Sequence, residues 1–510
     1  MGTASRIIKN TGWLYAKMAI TMFISLYTTR LILNSLGASD FGIFNIVGGA
    51  IAMLGFLNAA MASATQRFMS YAEGAGQKDQ QKVIFNVSLV LHVVIALIVG
   101  LFLTGAGFIF FNGILNIPEN RMHAAYVVYG SLVFSTILTI INVPYDAVVN
   151  AHENMKYYAI IGVFESLLKL LVAFVCVYSK FDKLIVYGAL MAIIPLITLS
   201  VMKVYCHRKY EECKLSLRKY WNKSCAKTMI SFAGWKLMFS MASMVSAYGQ
   251  GVVLNSFFGT ILNAAQGIAS QLNGQLQVMS SNMMKALNPV FAKSAGANNK
   301  DLLFKTAWAG AKFSTALYLM FAIPFFFYTE FILDLWLKNV PEWTVIFVRL
   351  QLIRSSIEFL FNPLCSVINA KGNIKWFSIF SSLSNLMQLP VIYFLFRLQY
   401  PPYVMYLVGI VFGNIIVYAV ALILNKMYCG FSIRLFFTHA VLPILLSFAC
   451  CVLLAMALLK FLPSILAFNV LNMITIFVIS LICFFVVGCN REEKELINVV
   501  VSKVKNKLWR

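Results

Sequence analysis

Some fourteen apolar runs, each near the roughly 20 residues an α-helix needs to cross a bilayer, leave this chain very few folds. They fall at approximately 12–34, 41–62, 84–111, 123–145, 157–179, 183–204, 229–257, 259–284, 306–328, 343–368, 374–396, 402–425, 437–460 and 465–489. In hydrocarbon every backbone amide must be bonded within its own segment, so runs of this length become helices. A mean hydropathy of +0.81 and a charged share of 12%, against about a quarter in soluble proteins, exclude an ordinary soluble protein. The expected fold class is an all-α polytopic membrane protein.

The runs are not independent, because the chain repeats itself after about 220 residues. Asn150, Ala151, Asn154, Lys156 and Tyr157 line up with Asn369, Ala370, Asn373, Lys375 and Trp376, and Pro144 falls on Pro363. Gly12-Trp13 returns as Gly234-Trp235, and Leu33-Asn34-Ser35 as Leu254-Asn255-Ser256. Ala75-Gly76 matches Ala295-Gly296, and Asn116-Ile117-Pro118-Glu119 matches Asn339-Val340-Pro341-Glu342. Six spans separate each motif from its copy, and an even number preserves direction across the membrane. Two parallel six-helix repeats are therefore expected, with a central cavity between them, as in duplicated transporters.

Orientation follows from Lys and Arg, which short translocated loops avoid. Basic residues crowd Arg6 and Lys9, then Arg67, Lys78 and Lys82, then Lys156, the run from Arg208 to Lys227, Lys285 to Lys305, Lys371 and Lys375, Lys426 and Arg434, and the tail from Arg491. The alternate loops carry few, namely Arg121, Lys180, Lys183, Lys338, Arg397 and Lys460, and the one near Glu330, Asp334 and Glu342 is acidic. Both termini are expected in the cytoplasm. The organisation read from this is a bundle over 1–206, a basic cytoplasmic linker over 207–227 with room for an amphipathic surface helix, a second bundle over 228–428, an extra helix pair over 429–490 and a basic tail over 491–510. The first apolar run is full length and reads as a retained span, not a cleaved signal. The formal charge of +23 is mostly this bias, which attracts anionic headgroups; no nucleic-acid partner is implied. Ten cysteines without CxxC spacing indicate neither a disulfide framework nor a zinc site.

Charges inside spans are costly and default to functional candidates. Lys17 and Arg30 fall in the first span, Glu165 and Lys169 in the fifth, Lys236 in the seventh, Lys312 in the ninth, and Arg349, Arg354 and Glu358 in the tenth. Glu165–Lys169 and Arg354–Glu358 are four apart, which places each pair on one helix face as a gating, ion-coupling or structural pair. Lys17, Arg30, Lys236, Lys312 and Arg349 have no acid one helical turn away in sequence. From Lys17, helical steps reach Thr21, Ser25 and Thr28; from Lys236 they reach Ser240, Ser243, Ser246 and Gln250. The eighth span carries Asn263, Gln266, Ser270, Asn273, Gln277 and Ser281 at helical spacing, and Gln271 about 140° round from Gln266. Amides and hydroxyls suit sugar hydroxyls, while bases without a neighbouring acid suit phosphate. The competing readings are helix packing for the polar stripes and snorkelling to headgroups for the lysines. His92, at the repeat offset from Lys312, reads as a bundle residue and not a ligand, and Pro144 and Pro363 read as matched bends or hinges. There is no GxxxxGK[ST] loop, HExxH, Cys/His cluster or GxSxG elbow, so neither nucleotide hydrolysis nor metal hydrolysis is indicated, and the chain is not expected to be an enzyme.

Two parallel six-span repeats with an appended pair, a GW near the start of each half, the AG turn after the second and eighth spans, and NAxxNxK-aromatic after the fourth and tenth resemble bacterial polysaccharide flippases. These Wzx-type transporters share a superfamily with multidrug and toxic-compound extrusion (MATE) proteins and lipid II flippases. The resemblance implies transfer of an undecaprenyl-diphosphate-linked oligosaccharide from the inner to the outer leaflet of the bacterial inner membrane by alternating access, coupled to Na+ or H+ and with no other cofactor. It implies a polyprenyl-diphosphate-linked glycan, membrane lipids, a polysaccharide polymerase and other envelope-assembly proteins as partners. On that reading Lys17, Arg30, Lys236, Lys312 and Arg354 are candidate diphosphate or acidic-sugar contacts, and Gln266, Asn273 and Gln277 line a sugar face. Glu165 is the best coupling carboxylate, with Lys169 and Glu358 in gating pairs. A lipid II flippase, a MATE-type cation antiporter and a non-transporting scaffold of a glycan assembly complex are the alternatives. A cation antiporter needs accessible carboxylates, and a scaffold does not need its bases to share a cavity.

Overall fold

The computed structural model describes residues 3–52, 55–111, 117–337, 339–461, 466–495, 497–498 and 502. Asn116, Lys338 and the tail over 503–510 lie outside the described residues. The chain is a polytopic all-α membrane protein. Its helices are α1 (Thr3–Ala52), α2 (Gly55–Gly74), α3 (Lys78–Ile109), α4 (Met122–Ala151), α5 (Met155–Tyr178), α6 (Lys183–Lys209), the single turn α7 (Leu217–Tyr220), α8 (Lys223–Gly296), α9 (Lys300–Phe327), α10 (Thr329–Trp336), α11 (Thr344–Lys371), α12 (Lys375–Arg397), α13 (Val404–Val408), α14 (Val417–Cys429), α15 (Ile433–Phe436), α16 (Leu442–Phe461) and α17 (Leu466–Cys483). Three π-helical stretches, Gly409–Ile416, Phe437–Val441 and Phe484–Gly488, interrupt the last elements. Among the described residues eleven helices are long and apolar enough to span a membrane, and α8, at 74 residues, is long enough to do so twice. The expected tenth span, α11, fails that test because Arg349, Arg354 and Glu358 sit inside it.

The repeat is written into the backbone. Both α1 and α8 break at a glycine, Gly37 (φ 78°, ψ 167°) and Gly259 (φ 80°, ψ −172°), placed 222 residues apart. That conformation is essentially closed to residues with a Cβ, and an added Cβ would meet nothing within 4 Å at either site. Backbone geometry, not space, therefore demands glycine. Further on, Gly76 (φ 69°) and Asn298 (φ 56°) close the turns before α3 and α9, and Glu153 (φ 54°) and Gly372 (φ 86°) close those before α5 and α12. The match of Ala75-Gly76 to Ala295-Gly296 is thus two residues out of register: Gly296 serves a different purpose, since a Cβ there would collide with the Tyr71 carbonyl oxygen.

Contacts divide the chain into two compact units. One comprises residues 10–237 with 296–298, and the other residues 1–9, 238–295 and 299–510. The linker expected at 207–227 packs with the first. Asn86, fully buried on α3, accepts from Ser216 N at 3.0 Å and donates to Lys214 O at 3.0 Å, pinning the linker backbone. In place of a surface helix the linker forms only short turns, Glu211–Cys213 and Leu217–Tyr220. His152, just past α4, bonds Glu212 of the linker and lies 3.3 Å from Glu73 at the end of α2, with its ring stacked on Tyr210. Burial opposes the imidazolium, but bonds to Glu212 and Glu73 and their charges more than offset it and lift the His152 pKa to about 9. At the opposite end of the same unit, Arg121 binds Asp40 and Asp182, tying α1, the start of α4 and the N-cap of α6 together. Hydrogen bonds from Arg121 hold the Asp182 carboxyl below its usual range.

The second unit has a core of Leu254, Tyr318, Phe347, Phe359, Phe396 and Met405, drawn from α8, α9, α11, α12 and α13. α16 and α17 pack on α9 within this unit. The ten cysteines are free.

Candidate functional site

In the second unit the interior is polar along a continuous line. Gln250 on α8 donates to Gln388 on α12 at 2.9 Å, Gln388 donates to Asn385 at 3.0 Å, and Asn385 donates to Ser243 at 3.3 Å. The line ends beside Arg354. Both the Gln388 amide nitrogen and an Arg354 Nη lie within 3.3 Å of where a Cβ on Gly413 would sit, and another Nη lies 2.9 Å from the corresponding point on Gly409. The guanidinium therefore occupies a cradle that exists because the π-helical stretch has no side chains at Gly409 and Gly413. π segments recur at functional sites because they re-aim side chains. Asn414 from the same stretch donates to the Arg354 carbonyl at 2.7 Å.

This geometry revises the expected pair. Arg354 and Glu358 influence each other electrostatically, but among the described residues they form no ion pair within 4.0 Å. The cradle draws the guanidinium toward α12 and the π stretch, away from its own helix face. Glu165 and Lys169 do pair, at 2.7 Å and with both side chains about 40% exposed.

The remaining candidates separate. Lys312 is 3% exposed and its Nζ lies 2.8 and 3.0 Å from the Glu493 carboxylate, so the partner missing from its own helix comes 181 residues later. Glu493 is itself held by Asn490 in a reciprocal cap, with Asn490 N to Glu493 Oε2 and Glu493 N to Asn490 Oδ1 both at 2.8 Å. Arg349 likewise has distant partners, the Phe326 carbonyl at 3.2 Å and Glu330 at 3.5 Å. Asn273 is buried and accepts from Tyr318 at 2.6 Å, and Gln277 donates to Ser355 at 2.9 Å. Both amides thus join helices, while Ser270, Gln271 and Ser281 of the same span remain exposed. Gln266 faces Gly251, whose Cβ position is 3.5 Å from its Oε1. Lys236 is half-buried.

In the first unit, Lys17 lies across α5. Its Nζ sits 4.3 Å from the centre of the Tyr158 ring, a cation–π contact, and a Cβ on Gly162 would collide with its Cε. Tyr158 is also within electrostatic reach of Glu165 and Asp146, and Asn142 donates to Asp146 at 3.1 Å. Arg30 is exposed and has no ion pair among the described residues. His92 is fully buried, with Nδ1 bonded to Ser88 O at 2.7 Å.

Two sets of residues escaped the sequence reading. Ser381, Ser384, Asn385 and Gln388 recur at helical spacing on α12, a stripe visible in SSLSNLMQL but masked by strong flanking apolar residues. Asp146 was missed because α4 continues past Pro144 to Ala151, beyond the end of the apolar run.

No family model matches the chain. A curated relative, the uncharacterized membrane protein EpsK of Bacillus subtilis (strain 168), is 27% identical over 100 residues, and the match spans a fifth of each chain. Solved structures match far more of it. A MATE protein in the bent conformation superposes with a TM-score of 0.72 at 14% identity, covering 84% of this chain and 95% of that one. A multidrug resistance MATE family transporter in an outward-facing conformation gives 0.69 at 14%, with 83% and 95% covered. A MOP superfamily transporter from Pyrococcus furiosus Vc1, described as having a binding pocket of reverse polarity that suggests a different function, gives 0.68 at 14%, again with 83% and 95% covered. The chain has the fold of MATE transporters of the MOP superfamily.

Proposed function

We propose that this protein is a transporter that flips an undecaprenyl-diphosphate-linked oligosaccharide from the inner to the outer leaflet of the bacterial inner membrane by alternating access. The observation that carries this reading is Arg354: a guanidinium held in a glycine cradle at the end of an amide and hydroxyl line, without a carboxylate within ion-pair distance among the described residues. Such a group recognises phosphate or an acidic sugar bidentately, and the adjoining amides of Gln250, Gln388 and Asn385 both donate and accept, as sugar hydroxyls do. Lys17 and the exposed Arg30 supply further positive charge in the first unit. Lys312 drops out of the substrate set, because Glu493 neutralises it.

Asp146 favours a second reading. With Glu165 it gives the first unit two carboxylates in the neighbourhood of Lys17, suited to Na+ or H+ coupling in either a flippase or a MATE-type cation antiporter. A lipid II flippase would use the same base and amide chemistry. A polysaccharide polymerase and other envelope-assembly proteins are the expected partners, and a non-transporting scaffold would need none of this interior.

The test is transfer of a fluorescent undecaprenyl-diphosphate oligosaccharide between leaflets of proteoliposomes. Arg354→Gln and Gly413→Ala, which displaces the guanidinium without removing it, are expected to cut the rate at least about tenfold, the loss of one charge-assisted bond. Unchanged transfer in both variants removes Arg354 from the site. Export of an organic cation on an imposed Na+ or H+ gradient, with no glycan transfer, makes the protein an antiporter.

A further inference from the structure

At the end of the second unit away from Lys371 and Lys375, the turn before α11, the turn after α12 and part of α8 line an open cleft of about 510 Å³, a volume within the range of small-molecule sites. Phe258, Trp343, Phe396 and Tyr400 supply its aromatic walls, and Glu342 and Gln399 its polar groups. Two of these residues hold conformations that side chains resist. Among the described residues only four non-glycines have positive φ, and Trp343 (68°) and Gln399 (62°) are two of them. Gln399 closes α12, with Gln399 N on Phe396 O at 3.0 Å and Tyr400 N on Leu395 O at 3.1 Å, a closing turn that normally takes glycine. Trp343 precedes α11 in a turn where Thr344 N and Oγ1 both bond Pro341 O. A bulky aromatic there is a true outlier. Glycine would fit both turns at lower backbone cost; the indole stands there against that strain, packed on one side against the core and the Tyr403 ring at 5.8 Å and lining the cleft on the other, and backbone strain of this kind clusters at functional sites.

We infer that this cleft binds a pyranose unit of a glycan. Indole and phenol faces cover the apolar C–H face of a sugar ring, and a carboxylate with an amide satisfies its hydroxyls. The charges point the same way. A neighbouring cleft of about 580 Å³ shares Glu342 and Trp343 and is lined by Arg349 and Glu330, so the acids repel a diphosphate while Arg349 opposes an organic cation. The assignment rests on the flippase reading, for which it supplies a sugar site distinct from Arg354.

The experiment is saturation-transfer NMR on the full chain in lipid nanodiscs free of glycoside detergent, with maltotriose and chitotriose as probes and tetraphenylphosphonium as the cation probe. The expected result is transfer to at least one trisaccharide that falls about fivefold or more in Trp343→Gly, the loss of one aromatic contact, and persists in Trp343→Phe. Because Trp343 also packs on the core and lies 5.8 Å from the Tyr403 ring, Trp343→Gly is expected to lower the thermal midpoint, and Trp343→Phe, which keeps a ring in both places, is the folded control against which sugar binding is read. Absence of transfer to both sugars, sugar transfer unchanged in Trp343→Gly, or displacement of sugar by tetraphenylphosphonium overturns the site. Sugar binding without leaflet transfer of the lipid-linked glycan leaves the site standing and removes the flippase reading; leaflet transfer without sugar binding does the reverse.

Discussion

His92 on α3 and Lys312 on α9 lie near equivalent depths of the two repeats, 220 residues apart where the helices themselves run at an offset of 222, and both are shut away from solvent. The first unit bonds one ring nitrogen locally, Nδ1 to the Ser88 carbonyl one turn back, and Nε2 has no hydrogen-bond partner among the described residues. The second buries a full charge and neutralises it with Glu493, from beyond the last span. A buried ammonium is tolerable only with a bonded counter-charge, and the appended C-terminal segment provides one. The extra helix pair is therefore part of what lets the second repeat differ from the first, and the same unit carries the amide line and the Arg354 cradle.

The comparison breaks most visibly if the two positions are exchanged. His92→Lys should destabilise the protein by roughly 3–5 kcal/mol, as should Lys312→Ala, which strands Glu493, whereas Lys312→Met with Glu493→Met should be near neutral. Thermal unfolding followed by tryptophan fluorescence reads all three, and a cost under about 1 kcal/mol for Lys312→Ala would mean that Glu493 does not anchor the C-terminal segment.

The ion pairs near the loop ends contrast in the same way. Arg121 joins three elements through two carboxylates that are 17% and 32% exposed, while Glu330, the partner of Arg349, is 69% exposed. Arg121→Ala should cost about 2–3 kcal/mol and Arg349→Ala under about 1 kcal/mol; equal losses would show that the repeats are tied alike.

At the helix breaks the repeats should agree. Gly37→Ala and Gly259→Ala find open space at both sites, so each should cost a similar conformational penalty, roughly 1–3 kcal/mol. Unequal losses in the same unfolding assay would show that one break bears a load the other does not.

A modest, pH-dependent effect belongs to His152, which has no histidine counterpart in the second repeat, where Lys371 stands at the matching position. Its folded pKa of about 9 exceeds the ordinary 6.5, so its contribution is fully present below about pH 6.5 and is lost as pH rises through about 9. A loss of about 1–2 kcal/mol by pH 10, after allowance for partial exposure, is expected in wild type and absent from His152→Gln. A parallel pH profile in the variant would remove the imidazolium from the latch joining α2, α4 and the linker.

Much of the fold was legible because hydrocarbon is a severe solvent. Apolar runs of spanning length had to be helices, and the repeat in NAHENMKY and NAKGNIKW was readable because short turn motifs resist drift among interchangeable apolar residues. The Glu165–Lys169 pair followed from helical spacing alone. The Arg354–Glu358 pair obeyed the same spacing and did not form, since Gly409 and Gly413 offered the guanidinium a place on another helix. Likewise Asn273 and Gln277 looked like a ligand-facing stripe and turned out to bond Tyr318 and Ser355, a choice no spacing rule can see.

By itself the sequence determined the helical class and the duplication, because these depend on the solvent and on motifs that recur in the same order along the chain. Only the tertiary structure decided which charges are neutralised and which stay available. That depends on partners 181 residues away in sequence, as for Lys312, or on the absence of side chains on a facing helix, as for Arg354. Electrostatics in a low-dielectric interior is set by distance in space, and distance in space is what a linear sequence does not state.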